Sequence, residues 1–244
     1  LEIKYSEHLK VEQSCVVNTG TAALHLALEA LQLPKSTQVI VPEFTMYASA
    51  LAVYYARLNP IFIDCDDNLL IDLDKVEKHF EKTVNLWNTK VLMVTHVYGR
   101  TVDMDRVMAI AQKYKLRVIE DACEAQGAYH NSQPIGSYDI GCFSFYRNKI
   151  IAAEEGGLIA SHDKNFIETA RDMRSMSFGE KHNYFHERIG FNYRCTNSQA
   201  ELALKSLTLL DKNLETRQEI CDMYNDVIPK EYQMPNNRNV VWVY

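Results

Sequence analysis

The feature that most limits the fold is an alternation of two kinds of segment. Short, nearly continuous apolar runs recur at TQVIVP (37–42), PIFID (60–64), KVLMVTHV (90–97), LRVIED (116–121), IGCFSFY (140–146) and GGLIAS (156–161). Between them lie stretches whose apolar residues return every three to four positions: TAALHLALEAL (21–31), DLDKVEKHFEK (72–82) and DMDRVMAIAQKY (103–114). Short apolar runs bounded by turn signals read as buried strands, and the 3.6-residue period reads as helices. A strand without polar alternation is covered on both faces. The chain is therefore predicted to be an α/β fold, a mostly parallel central sheet with helices on both faces. From about Thr196 the pattern becomes one long helical segment, NSQAELALKSLTLLDKNLETRQEICDMYNDVI, of the kind that leads out of a large domain into a smaller one.

Composition narrows what such a fold serves. The chain has 244 residues, 47% of them apolar, with 9 Gly and 6 Pro, enough to bury a large core in one or two domains. A formal charge of -6 without any Lys/Arg-rich block argues against nucleic acid or an anionic membrane as the main partner. A small anionic ligand stays compatible with that charge, because a local nest of donors holds one whatever the net charge. No window reaches the roughly 18 apolar residues of a membrane-spanning helix. The opening LEIKYSEHLKVEQ is too charged for a signal peptide, and the expectation is a soluble, cytoplasmic protein. Cys15, Cys65, Cys123, Cys142, Cys195 and Cys221 are scattered without a C-x-x-C pair, which fits reduced core thiols. The histidines show no H-E-x-x-H or H-x3-H spacing, so no metal is assigned. The chain opens on Leu1 and closes on VVWVY, a strand-like run without a turn, as a trimmed or partial protein would.

In an open α/β sheet, ligands gather at the carboxyl ends of the strands. The first such place is CVVNTGTAALHLAL, where Asn18, Thr19, Gly20 and Thr21 stand between an apolar run and a helix. The unpaired N–H groups of a helix start, with hydroxyls beside them, form a phosphate site. Ordinary N-capping by Thr19 or Thr21 explains the same residues without a ligand. The glycines of a G-x-G-x-x-G dinucleotide turn are missing.

The second place is Glu120-Asp121, at the end of RVIED. Either an acid there caps the next segment of chain, or Asp121 faces a nitrogen heterocycle and keeps the ring nitrogen protonated. The third is Lys149, between the strand GCFSFY and the Gly156-Gly157 turn. A buried amine loses solvation of its charged form and becomes the neutral nucleophile a Schiff base needs. A lysine that snorkels to the surface beside Arg147 and Asn148 is the alternative. A phosphate nest, an acid at a middle strand and a lysine after a later strand are, in that order, the groups that pyridoxal phosphate requires.

Seven segments extend this set: NTGTAALHLAL, VIVPEFTMYASALAV, PIFIDCD, HVYGRTVDMD, VIEDACEAQGA, FSFYRNK followed by EEGGLI, and GFNYRCTNSQAELAL. In this order, over nearly the whole chain, they resemble the DegT/DnrJ/StrS nucleotide-sugar aminotransferases. The resemblance implies a fold-type I transferase dependent on pyridoxal 5'-phosphate, with a large cofactor-binding domain over 1–208. Residues 209–244 would be the connecting helix and the start of a small C-terminal domain that is largely absent. It also implies that Gly20 and Thr21 hold the cofactor phosphate with help from Ser144, that Asp121 pairs with the pyridine nitrogen, and that Lys149 carries the cofactor and shuttles the proton. Asn192, in the N-Y-R segment, would reach the phosphate in a neighbouring subunit, so a homodimer with shared active sites is expected. The substrates implied are glutamate and a nucleotide-linked keto-sugar.

The chain departs from the family pattern at three places. Met46, followed by Tyr47, stands where an aromatic residue often stacks on the pyridine ring; a thioether is a softer platform. Glu124 replaces the common Gln of E-D-A-x-Q, and Gln126 a frequent His. Glu at that position is reminiscent of perosamine-synthase-like members, which aminate C4 of a 4-keto-6-deoxy sugar nucleotide. The shortened chain is the third departure, and it leaves a binding module without turnover as the competing reading. Lysine at 149 argues against the sugar dehydratases of the family, which carry histidine there. His96 is either a ligand contact or a satisfied core histidine, and Tyr98 and Arg100 are similar. Tyr184, Phe185 and His186 form a loop that could border the sugar. The charges of DLDKVEKHFEK are expected to be a solvated helix face.

Overall fold

The computed structural model of the protein describes residues 1–82, 88–179, 184–233 and 239–244. Seven strands form its main sheet: β1 (Gln13–Val17), β2 (Gln38–Pro42), β3 (Asn59–Ile63), β4 (Thr89–Thr95), β5 (Arg117–Asp121), β8 (Ile140–Ser144) and β9 (Gly157–Ser161). A short hairpin, β6 (Tyr129–His130) and β7 (Gln133–Pro134), lies between β5 and β8. The spatial order is β1-β9-β8-β5-β4-β2-β3. Pairing is parallel from β8 through β5, β4 and β2 to β3, while β9 runs antiparallel to both β1 and β8. The predicted mostly parallel sheet is present, and β1, with only three apolar residues in CVV, is the strand that periodicity overlooks.

Strand residues alternate between two cores, as the two-residue period of a strand requires. Val118, Phe143 and Leu158 face one side, where they join residues of α1 (Glu2–Leu9), α4 (Leu73–Lys82), α5 (Met104–Tyr114) and the start of α8 (Leu210–Val227). Ile119, Cys142 and Ile159 face the other, against α2 (Gly20–Ala30), α3 (Tyr47–Tyr55) and α6 (Lys164–Arg174). α2 is sandwiched between the sheet and neighbouring helices, and nine of its eleven residues are buried. Its nearly unbroken Ala/Leu sequence is what a helix enclosed on most sides needs. α4 is the opposite case. It buries Leu73, Val76 and Phe80 and turns its charges outward, as expected.

Side-chain caps set several helix starts: Thr19 accepts from the Ala22 N–H, Asp103 from Arg106 and Asp163 from Phe166. The long helix expected after Thr196 is two helices. A Thr196/Gln199 capping box opens α7 (Asn197–Thr208), and the chain breaks at Leu209 (φ -105°, ψ 12°) before α8. The break turns Leu210 into the core and lets Asn213 donate to the Ile150 carbonyl at 3.1 Å. The final VVWVY is no strand either. The Asn239 and Val240 N–H groups both donate to the Gly99 carbonyl, at 2.9 and 3.2 Å. Convergence of two donors on one oxygen prevents the alternating pattern of a ladder, and residues 239–244 form an irregular strap.

Gly157 explains how closely β9 and the start of α2 pack. A Cβ there would stand 2.4 Å from the Thr19 carbonyl oxygen and 2.8 Å from that of Phe143. Both obstacles are backbone, so Gly157→Ala is expected to destabilise the fold by roughly 2–4 kcal/mol. Urea denaturation checks this; a loss below about 0.5 kcal/mol, the range of neutral surface changes, would mean that the packing yields.

Candidate active site

The carboxyl ends of β5 and β8 meet the start of α2, and a cavity of about 410 Å³ opens beside them. That volume falls in the range of small-ligand sites. Gly20, Thr21, Met46, Asp121, Glu124, Ser144 and Lys149 all line it. Asn192 does not. It is exposed, paired with Ser175 in an isolated bridge, and accepts from Arg194 Nη2 at 3.2 Å. Tyr184, Phe185 and His186 also lie away from the cavity lining.

At the helix start both readings of the sequence hold together. Thr19 is the N-cap, and its hydroxyl takes the Ala22 N–H at 3.0 Å. The N–H groups of Gly20 and Thr21 have no hydrogen-bond partner among the described residues. Gly20 is required by proximity: a Cβ would lie 2.7 Å from Ser144 Cβ. The Ser144 hydroxyl accepts from the Tyr146 N–H at 3.3 Å and keeps a proton to donate.

β5 ends in two buried carboxylates that separate to opposite faces. Glu120 turns to the α4/α5 side, where it accepts from the Gly136 and Tyr138 N–H groups at 2.8 and 2.9 Å and lies 3.3 Å from His96 Nε2. His96 Nδ1 accepts from the Val102 N–H at 3.2 Å, which leaves the hydrogen on Nε2 for Glu120. His96 is thus a satisfied core histidine. Arg100 is equally structural, buried and donating to the Asn68 carbonyl. Asp121 turns to the α2/α3 side and lines the cavity. Ser49 of α3 donates to its Oδ2 at 2.7 Å, and the Cys123 N–H reaches Oδ1 at 3.3 Å. Asp121 therefore does cap the adjoining turn while keeping its carboxylate at the cavity.

Lys149 does not snorkel. Its side chain is 11% exposed, with Nζ 3.9 Å from Glu124 Oε1. Glu124 is held by the Tyr98 N–H at 2.9 Å, which a left-handed backbone at Tyr98 (φ 55°) aims at it. Such a conformation is uncommon outside glycine and costs of order 1–3 kcal/mol. Burial pushes the Glu124 carboxyl above the ordinary range, against the opposing pull of the Tyr98 N–H and of Lys149. Burial also raises the Cys123 thiol well above its usual value, which disfavours its thiolate.

Several residues at the site were outside the sequence-based set. Gln126 donates to the Ser144 carbonyl at 2.9 Å and accepts from the Ile151 N–H at 2.8 Å, stapling the two ends of the lysine loop. Arg217 of α8 donates to the Asn148 and Lys149 carbonyls at 3.0 and 3.1 Å. Trp242 adds its ring to the cavity wall. Only Gln126 stood in a motif; the other two come from the far end of the chain.

The chain as a whole matches known proteins. Residues 1–242 match the DegT/DnrJ/EryC1/StrS aminotransferase family. The chain belongs to this family. Its aminotransferases depend on pyridoxal phosphate. A GDP-perosamine synthase of Caulobacter vibrioides is 34% identical over 252 residues, spanning 100% of this chain and 67% of the relative. A UDP-N-acetyl-3-dehydro-alpha-D-glucosamine 3-aminotransferase of Acidithiobacillus ferrooxidans is 40% identical over 185 residues, 75% of this chain and 48% of the relative. The Bacillus subtilis protein NtdA, solved with bound cofactor PMP, superposes with a TM-score of 0.82 at 28% identity, covering 92% of this chain and 51% of that one. The chain thus spans about half to two thirds of the length of these proteins. No described helix is long and apolar enough to cross a membrane.

The family's cofactor fits the residues present: free helix N–H groups and hydroxyls at one end of the cavity, a fixed carboxylate beside it, and a buried amine. The raised Glu124 carboxyl has a measurable consequence before any cofactor binds. A carboxyl whose folded pKa is raised contributes stability below its unfolded value and loses it as pH rises through the folded value. Between about pH 4 and about pH 8, Glu124→Gln is therefore expected to gain stability relative to the parent. Urea midpoints at the two pH values test this, and a relative loss with rising pH would contradict it.

Proposed function

We propose that this chain is the cofactor-binding part of an aminotransferase that moves an amino group from glutamate to C4 of a nucleotide-linked 4-keto-6-deoxy sugar. The observation that carries the reading is the convergence of Lys149, Asp121 and the open N–H groups of α2 on one cavity. Similarity to a GDP-perosamine synthase over the whole chain, and Glu124 in place of the Gln of E-D-A-x-Q, favour C4. The 3-aminotransferase relative supports C3 as the second reading.

Pyridoxal phosphate, when bound, supplies an electron sink for bond changes at the amine-bearing carbon. The Gly20 and Thr21 N–H groups and the Ser144 hydroxyl would hold its phosphate, using the positive end of α2. Asp121 would keep a proton on the ring nitrogen, and the Ser49 bond fixes the carboxylate for that task. Lys149 would bind the cofactor aldehyde carbon and, once released, carry the proton to and from the substrate carbon. Glu124 can accept that amine's charge at close range. Met46 would pack a ring face.

Met46 is 66% exposed and Tyr47 67%, beside an exposed Phe44. This apolar rim supports a second copy of the chain as its cover, the homodimer in which Asn192 would reach the partner's phosphate site. Residues 209–244 would lead into the small domain that completes the substrate pocket, following α7.

The purified protein with pyridoxal phosphate is expected to show a visible absorption band that glutamate bleaches, and Lys149→Ala is expected to lack it. Ser49→Ala should keep the band and slow bleaching about tenfold, the size of one hydrogen bond to a charged group. The position of the amine in product formed from a GDP-linked 4-keto-6-deoxy sugar, read by NMR, separates C4 from C3. A parent protein without a band would favour a binding module without turnover.

A further inference from the structure

Lys149 has a second neighbour that none of the proposed steps uses. Its Nζ stands 3.8 Å above the centroid of the Trp242 ring. Trp242 is built into that place from four directions. Its ring stacks on Tyr98 at 6.2 Å and 16°, and its Nε1 donates to the Asn148 carbonyl at 3.0 Å. Arg217 donates to the Trp242 carbonyl with the same guanidinium that holds the Asn148 and Lys149 carbonyls. The strap around it is pinned at Gly99 on one side and by Tyr244 Oη to Asn225 Oδ1, 2.8 Å, on the other.

The face of an indole attracts a cation, and it does so more strongly where water is excluded. Lys149 meets that condition, with only 11% of its side chain exposed. An amine bonded to a cofactor carbon shares both its position and its charge with that carbon, and it no longer offers a compact ammonium to the ring. The contact therefore separates the two states through which Lys149 must pass.

We infer that Trp242 is a positioning residue: its ring holds the free, charged Lys149 amine and so biases the lysine toward its released form. The bias rests on the reading of Lys149 as the cofactor lysine, whereas the contact itself does not. A desolvated cation–π contact corresponds to roughly a tenfold shift in population.

The sequence holds 2 tryptophans, Trp87 and Trp242, so Trp87→Phe makes Trp242 the single indole reporter. In the full chain without cofactor, Lys149→Met is expected to change Trp242 emission, while Lys149→Arg, which keeps a cation, stays near the parent. Identical emission in all three proteins refutes the contact whatever reaction the enzyme performs. Spectroscopic titration with pyridoxal phosphate then reads the bias. Trp242→Ala is expected to form the lysine-linked band about tenfold more tightly than the parent, with Trp242→Phe in between. An indole with a merely structural role predicts the reverse, and weaker binding in both variants would overturn the positioning role. A parent that forms no band overturns the bias together with the reading of Lys149, while the emission comparison still decides the contact.

Discussion

The arrangement of the site depends on how near α2 comes to β8 and β9. Two glycines make that approach possible from opposite sides of one peptide. Gly20 leaves room for Ser144, and Gly157 leaves room for the Thr19 carbonyl. With both gaps closed, the helix start lies within reach of the end of β8, the strand whose continuation carries Lys149. A side chain at either place would push the open N–H groups of Gly20 and Thr21 away from the Ser144 hydroxyl. The donors of the proposed phosphate site are therefore a consequence of close packing between secondary elements, which is also why they resist rearrangement.

The same economy appears in the two carboxylates that end β5. A buried charge is tolerated only with partners, and the strand period sends these two to different partners. Glu120 has the larger set, two backbone N–H groups and His96, and it ties the segment between β7 and β8 to the exit of β4. Asp121 has Ser49 and one backbone N–H. The carboxylate with the fuller hydrogen-bond set is the structural one, and the one with spare acceptor capacity faces the cavity. Neighbours in the sequence thus divide into a brace and a reactive group because one residue separates them along a pleat.

Much of this was legible in the sequence for a simple reason: buried parallel strands must be apolar throughout, so their runs stand out. The runs at 37–42, 60–64, 116–121 and 156–161 lie within a residue or two of the observed strands. Elements that lack contrast were hidden. α3, YASALAVYY, is apolar around most of its circumference and shows no helical period, and it carries Ser49. The division of the long C-terminal helix at Leu209 was hidden too, since nothing in LTLLDKN interrupts helical propensity. At the cavity, Gly20, Thr21, Asp121 and Lys149 were legible because each follows a strand's end, where ligands gather, whereas Met46, Glu124 and Ser144 were named only through the family resemblance and Asn192 lies off the lining. Trp242 and Arg217 were not legible, because their contacts with the lysine loop span 94 and 68 residues and leave no local pattern.

Those long-range contacts change how the C-terminal part should be regarded. The loop leaves β8 still paired toward β9, through Phe145 N–H to the Gly156 carbonyl at 2.8 Å and Arg147 N–H to the Glu154 carbonyl at 3.1 Å, and beyond Arg147 other elements hold it. Gln126 staples the loop ends from the β5 side. From the other side, Ser206 takes the Ala152 N–H, Asn213 holds the Ile150 carbonyl, and Arg217 holds those of Asn148 and Lys149. Histidine, with one ring donor and one ring acceptor, could staple as Gln126 does, so the departure from the family pattern there need not disturb the loop. Arg217 has no such equivalent: a lysine in its place offers a point charge where a planar fork reaches several carbonyls at once. Burial already lowers the Arg217 pKa, a sign that the guanidinium is held out of water by the groups it organises. The proposed boundary after residue 208 therefore divides the chain within the machinery that positions the lysine, and α8 acts as the lysine loop's second wall as well as a connector.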